Sequence, residues 1–383
     1  MNEGQQRRDP GAAPPPGQGA IIDRRGLLGA AALAMPAAAL AMDARGSTYR
    51  RIATEEAFAT PEWFAATDAV PLTSPESNEA RMLRGIEAIP QIRRGLLDFD
   101  HRLEVMDQCR VDMHLLSLTT PGVQSLDRET AVGMARRSND FLAEAIRRHP
   151  TRFAGLAAVA PQDPQAAASE IDRAMTQLGL NGVLINSYTD GEYLDHPKFE
   201  PILAALVRHR APLYLHPRAP APAMVGPYVD HGLLGAIWGF AADTGLHAMR
   251  MIMAGVFDRH PELNVVLGHM GEAIPYWFWR IDNMAAKARS QAAASGRWWG
   301  PARPPSDYFR SNFHITTSGV NSHANLRFAI ELPGAERIMF AIDYPFEDSA
   351  QSVAFLDTAP ISEADRRKIA YANAERVFKI SAS

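Results

Sequence analysis

From about residue 50 onward, short apolar or β-branched runs alternate with longer amphipathic stretches, and no other feature restricts the fold as much. The runs predict strands at Met113–Leu118, Phe153–Ala158, Gly182–Ile185, Pro212–Leu215, Asn264–Gly268, Phe313–Thr316 and Ile338–Ala341, with one more around Ile52. Between them, Asp127–Arg148, Pro164–Leu178, Pro197–Arg210 and Ala236–His260 predict helices. Strands that are apolar throughout are buried on both faces, so the repeat reads as a parallel sheet covered by helices. Roughly eight such units favour an α/β fold closed into a (β/α)8 barrel over an open doubly wound sheet. No G-x-G-x-x-G or G-x-x-x-x-G-K loop follows any strand, which argues against a nucleotide site. Met82–Asp107 and the Trp/Pro-rich Arg297–Pro305 read as insertions over the barrel mouth, where loops carry function.

A net charge of −4 gives no basic footprint for nucleic acid. The single cysteine, Cys109, excludes a disulfide framework or a thiolate metal cluster and reads as a buried filler. Residues 1–22 have the Pro/Gly/Gln/Arg composition of a disordered segment. Asp23-Arg24-Arg25-Gly26-Leu27-Leu28, an Ala/Leu/Met run and Ala39-Leu40-Ala41 then form a twin-arginine-type secretory signal. A membrane-anchoring helix is the competing reading. The apolar run contains Pro36 and falls short of the roughly 20 residues needed to span, which favours cleavage near Ala41 and no stable span afterwards. Residues 1–47 are therefore assigned to the leader and 48–383 to one barrel domain. The expected location is periplasmic or secreted, with the cytoplasm as the alternative.

A barrel places its chemistry at the carboxyl ends of its strands. Four predicted strands end in ligand or acid–base residues: Glu55, His216, His269 (followed by Glu272) and Asp343. Any one of these reads as a structural residue, a His held by hydrogen bonds or an Asp at a turn. Together they supply carboxylates and imidazoles, a set suited to Mn²⁺ or Zn²⁺.

Several strings resemble one family: Thr-Glu-Glu-Ala-Phe-Ala at 54–59, Leu-His-Pro at 215–217, Gly-His-Met-Gly-Glu at 268–272, Trp-Arg-Ile-Asp at 279–282, Thr-Ser-Gly at 317–319 and Asp-Tyr-Pro-Phe at 343–346. They are similar to the amidohydrolase-related aromatic-acid decarboxylases, whose fold is a distorted TIM barrel of the metal-dependent hydrolase type. The 5-carboxyvanillate branch is nearer than the γ-resorcylate branch. It shares Glu-Glu-Ala on the first strand, where most amidohydrolases have His-x-His or Glu-x-His, together with Ala160–Pro164, Ile185-Asn186-Ser187 and Ile274–Trp277. The resemblance covers about residues 50–380.

By this resemblance Glu55, His216 and Asp343 hold one divalent cation, Mn²⁺ before Zn²⁺ because oxygen ligands dominate. The substrate is a small hydroxylated aromatic acid that chelates the metal. Asp343 protonates the ring carbon bearing the carboxylate, and His269 with Glu272 forms an acid–base dyad, one turn apart if a helix starts after His269. Ala57 reads as space for substrate or water, against the alternative of a decayed, metal-free homologue. Arg102 and Arg297 are the candidates for binding the substrate carboxylate, with Arg289 and Arg303 competing for the second place. A homodimer or homotetramer is implied. Two other readings stay open: a metal-dependent hydrolase of a lactone, ester or amide, and an exported binding protein without catalysis.

Overall fold

Eight parallel strands follow one another around the sheet in chain order in the computed structural model, which describes residues 49–72, 77–296 and 300–381. They are β1 (Ile52–Phe58), β2 (Met113–Leu118), β3 (Phe153–Ala158), β4 (Gly182–Asn186), β5 (Leu213–His216), β6 (Val265–Leu267), β7 (Phe313–Thr316) and β8 (Ile338–Met339). The predicted α/β barrel is therefore the observed fold, and the two agree on every strand to within one or two residues at most ends. The leader assigned to residues 1–47 lies outside the described residues. Among the described residues no helix is long and apolar enough to cross a membrane.

The barrel interior is filled by Ile52, Met113, Leu115, Ala154, Leu156, Leu184, Tyr214, Val266 and Met339, with Phe378 and Ile380 packed against the same cluster. A second, larger cluster joins the outer strand faces to the helices. This two-sided burial is why the strands are apolar at nearly every position.

Two irregularities shape the mouth. In β1, Ala53 pairs with His114 but Glu56 pairs with Leu116, so β1 carries one extra residue at Thr54–Glu55. Such a bulge shifts the in–out phase of the strand by one. Ile52 packs inside the barrel below the bulge, and Glu55 and Ala57 face its interior above it. The second irregularity is the seam between β8 and β1. The amide of Thr54 donates to Phe340 O at 3.1 Å and that of Ala57 to Tyr344 O at 2.8 Å. Between these bonds the Glu56 carboxylate accepts the amides of Ile342 and Tyr344, each at 3.0 Å. Burial pushes the Glu56 carboxyl up to about 8, opposed by these two amides and the Arg102 guanidinium. Because Glu56 and Thr317 take its later main-chain groups, β8 is a two-residue strand and not the predicted Ile338–Ala341.

The predicted helix Ala236–His260 is two, Gly239–Met253 and Val256–Arg259, because Gly255 turns left-handed at φ 68° between them. Among the described residues, the insertion between β1 and β2 forms four helices: Pro61–Asp68, Asn78–Glu87, Pro90–Leu97 and Phe99–Cys109.

Candidate active site

Glu55, His216 and Asp343 come together at the mouth, each offering one ligand atom within 4.8 Å of the others. His216 ends β5. Its Nδ1 lies 2.9 Å from both Asn186 Oδ1 and Pro217 O, two acceptors, so Nδ1 carries the proton and Nε2 presents its lone pair to Glu55 Oε1, 3.5 Å away. Asn186 is fixed in turn by Gln124, which accepts its amide at 2.6 Å and donates to its carbonyl at 2.8 Å. Asp343, at φ 78°, occupies backbone space disfavoured for a residue with a Cβ.

Glu55 is 3% exposed, and its two oxygens differ. Oε2 accepts the hydroxyls of Tyr214, Ser318 and, at 3.0 Å, Thr316. Oε1 is buried with no hydrogen-bond partner among the described residues. A buried carboxylate oxygen facing an imidazole lone pair is unfavourable unless a cation lies between them. Burial alone would raise the Glu55 carboxyl, but the charge of His269 and the hydroxyls of Ser318 and Tyr214 hold it below the ordinary range.

His269 donates through Nδ1 to Glu272 Oε1 at 2.9 Å, and its Nε2 is 3.7 Å from Asp343 Oδ2 and 4.0 Å from Glu55 Oε1. Burial opposes its charge, yet Glu272 and Glu55 outweigh that and hold the imidazole well above its usual value. His269 and Glu272 are hydrogen-bonded to one another, but the backbone carrying them is not an ordinary helical turn. Every residue from His269 to Ala273 has positive φ, between 50° and 81°, which makes a left-handed turn. Four of these five residues carry a Cβ, at a typical cost of about 1–2 kcal/mol each. The turn folds back His269 and Glu272 onto one another, and Ser318 Oγ fixes its start by accepting the His269 amide at 3.0 Å.

Arg102 is a correction. Its guanidinium is fully buried and donates to the carbonyls of Ala57 and, at 2.9 Å, Gly95, while stacking 4.5 Å over the Tyr344 ring. It ties the insertion to β1 and does not point a free fork at a substrate. Arg297 lies outside the described residues. Arg289 donates to Ala302 O and Pro301 O, and Arg303 lies 4.1 Å over the Tyr308 ring. Arg218 pairs with Glu79 in a buried ion pair. Ala57, Ser117, Leu118, Thr119, Thr120 and Phe346 join Glu55, His216 and Asp343 around a cavity of about 10 Å³, room for one water. Thr119 Oγ1 lines this cavity, buried and without a hydrogen-bond partner among the described residues. Sequence reasoning gave no role to Tyr214, Thr316, Ser318, Asn186 or Thr119. The strings containing Asn186 and Ser318 were the available signal.

The amidohydrolase family's sequence profile matches residues 89–380. The chain belongs to that family. It is 40% identical over 344 residues to the γ-resorcylate decarboxylase of Rhizobium radiobacter, covering 86% of this chain and 98% of the relative. The 5-carboxyvanillate decarboxylase LigW from Sphingomonas paucimobilis superimposes with a TM-score of 0.80 at 45% identity, over 87% of this chain and all of that one. The 5-carboxyvanillate decarboxylase of Novosphingobium aromaticivorans DSM 12444 was solved with manganese and 4-hydroxy-3-methoxy-5-nitrobenzoic acid. It gives a TM-score of 0.83 at 40% identity, over 87% of this chain and 96% of that one. The amidohydrolase barrel thus accounts for the strand order, and these relatives act on the carboxyl group of hydroxylated aromatic acids.

Proposed function

We infer that this protein is a manganese-dependent, non-oxidative decarboxylase of a hydroxylated aromatic acid, and that its substrate is 5-carboxyvanillate-like. The observation that carries the reading is the unpartnered Oε1 of Glu55, set within 4.8 Å of ligand atoms from His216 and Asp343. Two carboxylates and one imidazole suit Mn²⁺ better than Zn²⁺. Glu55, His216 and Asp343 would hold the cation, which would supply positive charge for an anionic substrate.

The chain's own groups do the rest. Asp343 delivers a proton to the ring carbon that bears the carboxylate, forming a C–H bond. The C–C electron pair returns to the ring, aromaticity is restored and CO₂ leaves. Asp343 is then a carboxylate, and His269, 3.7 Å away, is placed to return a proton to it. Glu272 holds that imidazole in orientation. Thr119 supplies a hydroxyl to a substrate oxygen. Ala57 leaves the space that an imidazole would fill.

Export by the twin-arginine route, with cleavage near Ala41, is proposed from the Arg24-Arg25 leader, with cytoplasmic retention as the alternative. A homodimer or homotetramer is proposed because Tyr276, Trp277, Trp279, Ile237 and Trp238 are half or more exposed. The experiment is incubation of Mn²⁺-loaded protein with a panel of ortho-hydroxybenzoates. The reading predicts CO₂ release from at least one. No CO₂ from any, together with hydrolysis of an aryl ester or lactone, reverses it in favour of a hydrolase.

A further inference from the structure

Glu55 is gripped at one oxygen only. The donors to Oε2 come from β5 (Tyr214), the end of β7 (Thr316) and the loop after β7 (Ser318), and all three side chains are fully buried. They also touch one another: Thr316 Oγ1 lies 2.9 Å from Ser318 Oγ and 3.1 Å from Tyr214 OH. β6 lies between these two strands, and its next residue, Gly268, leaves the room into which the Glu55 carboxylate projects. Ser318 Oγ also accepts the His269 amide, so one hydroxyl touches both Glu55 and the turn carrying the acid–base dyad.

A carboxylate free to rotate can grip a divalent cation through both oxygens, which fills two coordination positions. At Glu55 the lone pairs of Oε2 are already occupied by three hydroxyl protons. We propose that the Tyr214–Thr316–Ser318 hydroxyl cage makes Glu55 a one-oxygen ligand and so reserves a coordination position for the substrate's second oxygen. These three are positioning residues that act through Glu55. The inference rests on the reading that Glu55, His216 and Asp343 hold a divalent cation. It accounts for three buried hydroxyls that touch one another and converge on a single carboxylate oxygen, and for the asymmetry between Oε1 and Oε2.

The test separates hydroxyl from volume. Thr316→Val keeps the side-chain size and removes the donor, whereas Thr316→Ser removes a methyl and keeps it. Salicylate affinity is measured by calorimetric titration of the Mn²⁺-loaded protein, and Mn²⁺ affinity by titration of the metal-stripped protein, both independently of turnover. The cage predicts that Thr316→Val and Ser318→Ala, by freeing Oε2 to take the reserved position, each weaken salicylate binding by about 10–100-fold, the range for groups that orient a metal ligand. It predicts that Thr316→Ser stays near wild type. Salicylate affinity that follows the methyl, weak in Thr316→Ser and normal in Thr316→Val, overturns the inference, as does normal salicylate affinity in both Thr316→Val and Ser318→Ala. Should Thr316→Val fail to fold, the salicylate affinity of Ser318→Ala decides alone. Glu55→Gln is the control on the underlying reading. Undiminished Mn²⁺ binding in Glu55→Gln removes the metal site itself, an outcome distinct from a neutral cage variant.

Discussion

Replacing Gly268 with alanine tests the packing of the metal site with one methyl group. A Cβ at 268 would lie 2.7 Å from Glu55 Oε1, 2.8 Å from Oε2 and 3.1 Å from Cδ, where ordinary contact begins at 3.4 Å. The backbone at Gly268, φ −67° and ψ −176°, is open to any residue, so the cost is confined to the overlap. Clearing it requires a shift of about 0.7 Å, and Glu55 cannot back away because Oε2 rests against Tyr214, Thr316 and Ser318. Overpacking of this kind costs about 1–3 kcal/mol of stability. A catalytic group displaced by more than about 0.5 Å loses its productive geometry, and a 1 Å error costs about 100-fold in rate. Gly268→Ala is therefore expected to fold, to melt a few degrees lower, and to lose about 100-fold in Mn²⁺ affinity and in kcat/KM. Calorimetric Mn²⁺ titration and thermal unfolding of the same preparation measure both. A folded Gly268→Ala protein with wild-type Mn²⁺ affinity refutes the placement of Glu55.

Three further outcomes are expected. Arg102→Met leaves the Ala57 and Gly95 carbonyls unpaired, so urea unfolding should show a loss of about 2–4 kcal/mol; a raised KM at unchanged stability would instead return Arg102 to the substrate. Glu87 is pushed up to about 8, chiefly by burial and then by Asp68. Between its ordinary 4.5 and that value the folded chain keeps a proton that the unfolded chain has released, so stability falls as pH rises through this window. Glu87→Gln should match wild type near pH 5 and exceed it by on the order of 2 kcal/mol near pH 9, and an equal difference at both pH values would contradict the assignment. Asp343→Asn should abolish turnover while weakening Mn²⁺ binding less than His216→Ala does. Retained activity in Asp343→Asn would remove it as the proton donor.

The barrel was legible because its strands are buried on both faces, so β2 through β7 read as short, predominantly apolar runs such as Phe153–Ala158 and Gly182–Asn186. The candidate site was legible because Glu55, His216, His269 and Asp343 each stand at the end of a predicted strand or just after it. What escaped detection depends on contacts between distant segments. The β1 bulge that turns Glu55 inward leaves no local mark, because Thr54, Glu55 and Glu56 are each compatible with an ordinary strand. The Glu56 seam and the Thr316–Ser318 cage are made by residues more than 250 positions from their partners in β1. The left-handed turn at His269–Ala273 contains one glycine, too few to announce it. Arg102 was misplaced because a guanidinium suits a substrate carboxylate and a set of buried main-chain carbonyls equally well. Only the path of the Phe99–Cys109 helix decides between them.

Asp343 is proposed to protonate the carbon from which CO₂ departs. Turnover of a 5-carboxyvanillate-type acid by the Mn²⁺-loaded protein in D₂O, read by NMR of the product, tests it most directly. One deuterium per product molecule is expected, at the position the carboxylate occupied, and no deuterated product from Asp343→Asn. Product lacking deuterium at that carbon, or full incorporation by Asp343→Asn, contradicts it.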